Sequence, residues 1–146
     1  MRYSQYKFKF YLNASHAIYI NGSMGERHPH TWEIMIQVLK EREEFVEFGK
    51  LEKEIENYMK RYQDKFLNEV PPFDKINPTM ENCCDYFKDV LKQILAYAGW
   101  VLLLVEMSET PTRSYVINLF DEEERESMNG NLDTVAGNIL NDILNR

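Results

Sequence analysis

Residues 6–16 read Tyr-Lys-Phe-Lys-Phe-Tyr-Leu-Asn-Ala-Ser-His, and residues 28–38 read His-Pro-His-Thr-Trp-Glu-Ile-Met-Ile-Gln-Val. The first stretch alternates. Tyr6, Phe8, Phe10 and Leu12 fall on one side, with Lys7, Lys9, Tyr11 and Asn13 on the other, which is the period of a half-buried strand. The same parity runs on through Ala14, His16, Ile18 and Ile20. In the second stretch Trp32, Ile34, Ile36 and Val38 share one side, while Thr31, Glu33 and Gln37 share the other. Asn21-Gly22-Ser23 and Gly25 supply turn residues between the two runs, so they are expected to pair as an antiparallel hairpin.

Beyond this hairpin the period changes. Phe48, Leu51, Ile55, Tyr58 and Tyr62 recur at helical spacing, with Glu and Lys between them. A loop from Leu67 to Asn77 carries Pro71-Pro72. A second helix is expected to open with Asn77 as N-cap, Pro78 at the first position and Glu81 in the first turn. Its stripe is Met80, Cys84, Phe87, Leu91, Ile94 and Leu95, and Gly99 closes it. Residues 100–107 are almost wholly apolar, as in a central strand, and Tyr115, Ile117 and Leu119 mark the last one. The order strand, strand, helix, helix, strand, strand implies an α+β fold. Its four-stranded antiparallel sheet should carry both helices on one face. Residues 1–120 form that single domain. Residues 121–146 add an acidic linker and an amphipathic helix carrying Leu132, Val135, Ile139, Leu140 and Ile143.

A chain of 146 residues with 44% apolar and 28% charged residues has room for one real core. A formal charge of −7 without a basic cluster argues against nucleic acid and against an anionic membrane surface. The longest apolar run, Trp100 to Val105, is far too short to span a bilayer. The two cysteines, Cys83 and Cys84, are adjacent and poorly placed to bridge each other, which suggests a reducing, cytoplasmic setting.

The chain has three histidines. His28 and His30 are two apart on a strand, so both imidazoles leave one face. His16 lies on the preceding strand, and cross-strand neighbours have Cβ atoms roughly 5 Å apart, within ligand-to-ligand reach. Three imidazoles leave one position of a tetrahedral zinc open, the arrangement of catalytic sites. Imidazole also suits nickel, copper and iron. Three histidines scattered by chance near a hairpin are the bland alternative, and Pro29 is unusual in a strand interior.

Six landmarks occur in order: Ala14-Ser15-His16; His28-Pro29-His30; Val46-Glu47-Phe48; Asp64-Lys65-Phe66-Leu67-Asn68; Pro78-Thr79-Met80-Glu81-Asn82; and Glu109-Thr110-Pro111-Thr112 ahead of Tyr115. In these the chain resembles the 6-pyruvoyl-tetrahydropterin synthases and the bacterial 6-carboxytetrahydropterin synthases. The resemblance implies the T-fold, assembled side by side into a β-barrel, usually as a homohexamer. It implies zinc held by His16, His28 and His30, and a reduced pterin ligand such as dihydroneopterin triphosphate. It implies a ring anchor at Glu109, whose carboxylate can accept two parallel hydrogen bonds from the pterin edge. It also implies a ring contact from Thr79 of an adjacent subunit.

The resemblance breaks at the proton-transfer groups. The family's cysteine, four residues before the first histidine of the His-X-His pair, is here Met24, and its Asp-His pair is here Asp64-Lys65. Glu26, two residues before His28, is a possible substitute base, as one branch of the family uses a glutamate in this loop. Asp64 is the other candidate for proton transfer. Lys65 could act only if burial lowered its pKa. Arg27 and Arg113 are the cations available to a triphosphate. Two functions therefore stand side by side: a zinc-dependent carbon–oxygen lyase with altered base chemistry, and a non-catalytic zinc- and pterin-binding or assembly member of the family.

Overall fold

The structure, a computed structural model, describes residues 2–120. The expected amphipathic helix and acidic linker at residues 121–146 lie outside the described residues. Two long strands dominate: β1 (Tyr3–His16) and β4 (His28–Glu41), paired antiparallel from Tyr3–Glu41 to His16–His28. Between them the chain leaves the sheet after His16. It makes a small hairpin, β2 (Tyr19–Ile20) and β3 (Ser23–Met24), closed by Asn21 and Gly22 at φ 51° and 81°. Two successive positive φ values are what a type I′ turn demands. The strand parity expected to continue through Ile18 and Ile20 therefore stops at His16.

Next come α1 (Phe48–Met59), the two-residue β5 (Lys65–Phe66), α2 (Met80–Tyr97), β6 (Val101–Thr110) and β7 (Arg113–Asn118). The sheet order is β5-β1-β4-β6-β7. The expected four antiparallel strands are all present, and β5 adds a fifth, parallel to β1 at Ala14 and Ser15. That edge strand was not legible because two residues carry no period.

Both helices lie on the even-numbered face of β1 and β4. Phe8, Phe10, Leu12, Trp32, Ile34, Ile36 and Val38 pack there against Leu51, Ile55, Phe87, Leu91 and Leu95 in one continuous core. Helix α2 starts two residues later than the spacing predicts. Thr79 is its N-cap, the hydroxyl accepting the Asn82 N–H at 3.1 Å. Asn77 is occupied elsewhere. Its far end matches expectation: Gly99 sits at φ 86°, with Trp100 N–H on Leu95 O and Gly99 N–H on Ala96 O, the paired bonds of a Schellman motif.

One irregularity matters for the site. Gln37 pairs with Leu104 but Val38 pairs with Leu102, so Leu103 bulges out of β6. It packs on the opposite face beside Leu39. Beyond the bulge Val105 and Met107 face the helices, and the parity carries Glu109 to that side as well.

Candidate metal centre

His16 ends β1 and His28 begins β4, directly opposite each other in register, with His30 opposite Ala14. The three rings cluster with centroids 4.4, 4.7 and 4.9 Å apart. One nitrogen from each lies within 4.8 Å of the others. His16 is buried; His28 and His30 are half-buried, so the cluster has an open side.

Two backbone carbonyls fix the tautomers. His16 Nδ1 lies 2.7 Å from Pro78 O, and His28 Nδ1 lies 3.0 Å from Glu26 O. A carbonyl only accepts, so each Nδ1 carries the proton and each Nε2 presents a lone pair. Those two Nε2 atoms face each other at 2.8 Å. Two lone pairs at that separation repel unless a cation or a proton stands between them. Burial, the largest influence, lowers the pKa of His16, and the neighbouring His28 and His30 lower it further, against the Pro78 carbonyl and Glu109, which raise it. Burial likewise lowers His30, with Glu109 opposing. Protonation of His16 is thereby disfavoured, and a metal ion fits. A tetrahedral zinc with Zn–N near 2.05 Å needs nitrogens roughly 3.3 Å apart, so His16 and His28 would have to separate by only about half an ångström.

The segment after His16 is clamped by two asparagines. Asn68 accepts the Ala17 N–H at 2.9 Å and donates to Ala17 O at 2.8 Å. Asn77 does the same for Tyr19 at 2.9 and 3.0 Å. Each amide imitates a strand partner and holds the chain where it turns away from the sheet.

Glu109 stands beside the cluster. Its Oε1 lies 3.6 Å from His30 Nε2 and 3.8 Å from His16 Nε2, and accepts the Trp32 indole N–H at 3.3 Å. Its Oε2 accepts from Arg113 at 3.2 Å. The other sequence-predicted residues are spread more widely. Asp64, at φ 58°, lines one open cleft with Arg27, Lys65 and His30. The Glu26 side chain is exposed, and it is the Glu26 backbone carbonyl that orients His28. Met24 is exposed on β3. The Thr79 hydroxyl caps α2. Cys83 and Cys84 are both buried; burial pushes the Cys83 thiol up strongly and the Cys84 thiol up to about 12, so neither offers a thiolate near neutrality. Sequence reasoning missed Trp32, Asn77 and the Pro78 carbonyl as site-builders. A carbonyl leaves no trace in residue type, and an apolar-face tryptophan reads as core.

With this geometry in view the comparisons are decisive. Residues 5–119 match the family described as 6-pyruvoyl tetrahydropterin synthase. The chain belongs to that family. No curated protein sequence matches it significantly. Among solved structures, the Caenorhabditis elegans 6-pyruvoyl tetrahydropterin synthase is similar at 19% identity and TM-score 0.69, with 81% of this chain and 96% of that one covered. A Plasmodium vivax 6-pyruvoyltetrahydropterin synthase, altered at a catalytic glutamate, is similar at 13% identity and TM-score 0.60, with 80% and 98% covered. The Plasmodium falciparum enzyme is similar at 13% identity and TM-score 0.59, with 79% and 96% covered. At these identities the structural likeness shows the fold, which is the T-fold expected from the landmarks. Among the described residues, no helix of this family member is long and apolar enough to cross a membrane.

Proposed function

We propose that this chain is a zinc-dependent, 6-pyruvoyl-tetrahydropterin synthase-like lyase acting on dihydroneopterin triphosphate or a related reduced pterin, with altered base chemistry. The observation that carries the reading is the Glu109 carboxylate, set 3.6 Å from a nitrogen of the histidine cluster and only 13% exposed. Zinc held by His16, His28 and His30 would supply Lewis-acid polarisation of the ligand's side-chain oxygens. Glu109 would accept the donor edge of the pterin ring, with Thr79 of an adjacent subunit against the ring. For that, Arg113 has to yield Oε2. Proton transfer falls to Asp64, which shares the His30 cleft, or to Glu26, in the loop leading into His28. A glutamate is a catalytic residue in the Plasmodium vivax relative, which supports a carboxylate as the base here.

The second reading is a non-catalytic member that binds zinc and a pterin-like ligand. It is favoured by Met24 and Lys65, neither of which is placed to take a proton, and by thiols that burial keeps protonated. In either case a ring-shaped homo-oligomer, a hexamer by family analogy, is the assembly. Among the described residues, strand β7 pairs only with β6 and β1 is covered on its outer side only at Ala14 and Ser15, so pairing between copies would satisfy both edges.

The test is one zinc-loaded sample measured twice. Calorimetry with neopterin should show binding that weakens strongly in Glu109→Ala, because the ring donors lose their acceptor. Turnover of dihydroneopterin triphosphate should be low but present, and should fall by about two to four powers of ten in whichever of Asp64→Asn and Glu26→Gln removes the base. Binding without turnover selects the second reading. Absence of neopterin binding overturns both.

A further inference from the structure

We propose that Trp32 is a positioning residue that sets the Glu109 carboxylate against the histidine cluster; its effect on ligand binding rests on the reading of Glu109 given above. Trp32 is 0% exposed, and an indole has one hydrogen to donate. That hydrogen goes to Glu109 Oε1 at 3.3 Å. The indole is itself held by the cluster, with its centroid 4.9 Å from the His16 ring and 5.0 Å from the His30 ring. Its backbone lies one step beyond the last paired position of β4 and β6, Glu33–Ser108, so the register brings residues 32 and 109 side by side. A fully buried aromatic body thus fixes the direction of one N–H, and the N–H fixes one oxygen of the carboxylate.

The consequence is a division of labour between the two oxygens. Oε1 is tied inward, to Trp32 and toward His16 and His30. Oε2 points to the exposed Arg113 and is the oxygen a ligand can reach by displacing that guanidinium. Phenylalanine or tyrosine in place of Trp32 would keep an apolar body but remove this donor from its place. Glu109 would then sample other rotamers, and a ligand would have to order it on binding.

The experiment is a double-mutant cycle on zinc-loaded protein, with neopterin binding read by calorimetry. Trp32→Phe should weaken binding about ten-fold, the size of one hydrogen bond to a charged group, while zinc stoichiometry stays unchanged. In a Glu109→Ala background the same substitution should have no further effect, because its route is gone. Trp100→Phe, the matched lesion in the aromatic core, should leave binding as it is. Effects that add in the double variant would overturn the proposal and leave Trp32 as core packing. A second measurement covers a Trp32→Phe chain that fails to fold, and a wild-type chain that binds no pterin. In nitrogen-labelled protein, Glu109→Ala should move one of the two indole N–H resonances and speed its exchange with solvent. If neither resonance moves, Trp32 does not hold Glu109, whatever the ligand proves to be.

Discussion

In the absence of metal the fold should weaken below pH 6.5, and the histidine cluster gives the direction and the ceiling of the effect. Burial lowers His16 and His30 from the ordinary value of 6.5, so on acidification the folded chain takes up fewer protons at these positions than the unfolded chain. The sign follows: stability is fully present above 6.5 and is lost as pH falls from there toward the folded values. Between pH 6.5 and 5.5 an unfolded imidazole goes from half to nearly fully protonated, which costs the folded state about 1 kcal/mol for each histidine that stays neutral. The ceiling for the pair is therefore about 2 kcal/mol, a readable part of the roughly 5–15 kcal/mol that holds a domain together. The window is clean because the chain has only three histidines and ordinary carboxylates titrate near pH 4. Urea unfolding of chelator-treated protein at pH 7.0, 6.5 and 5.5 measures it, and His16→Gln should make the slope shallower. Stability that is flat or rising toward pH 5.5 would refute neutral, buried imidazoles and the lone-pair argument built on them.

Three further outcomes follow from the same geometry. His30→Ala should cut bound zinc from about one per chain to almost none while circular dichroism stays unchanged, since His30 lies outside the main core; retained zinc would move the site elsewhere. Thr79→Ala should cost about 1 kcal/mol of stability through the lost α2 cap, and Thr79→Ser should restore it. Unchanged stability with weaker neopterin binding would instead assign the hydroxyl to the ligand. A thiol reagent should label Cys83 and Cys84 no faster than the chain unfolds, and rapid labelling of native protein would contradict their burial.

What could be read from residue order was whatever depends on short-range period and on residue chemistry. The alternation in residues 6–13 and 31–38 specifies two half-buried strands and, with an Asn-Gly turn between them, their pairing. The i, i+2 placement of His28 and His30 puts both imidazoles on one face. Their ordered spacing also carried the family. What tertiary structure decided depends on register and on groups that residue type does not encode. Residues 100–105 are apolar on both faces, so their order does not place the bulge at Leu103, yet that one extra residue turns Glu109 from the far face to the histidine side. The Asn77 amide looks like a helix cap in sequence, but its donor and acceptor match the backbone of Tyr19, and that pairing moves the cap to Thr79. The tautomers of His16 and His28 are set by the carbonyls of Pro78 and Glu26, which every residue possesses and only the fold can aim. A side chain's chemistry is local, whereas the direction in which it points is set by everything packed around it.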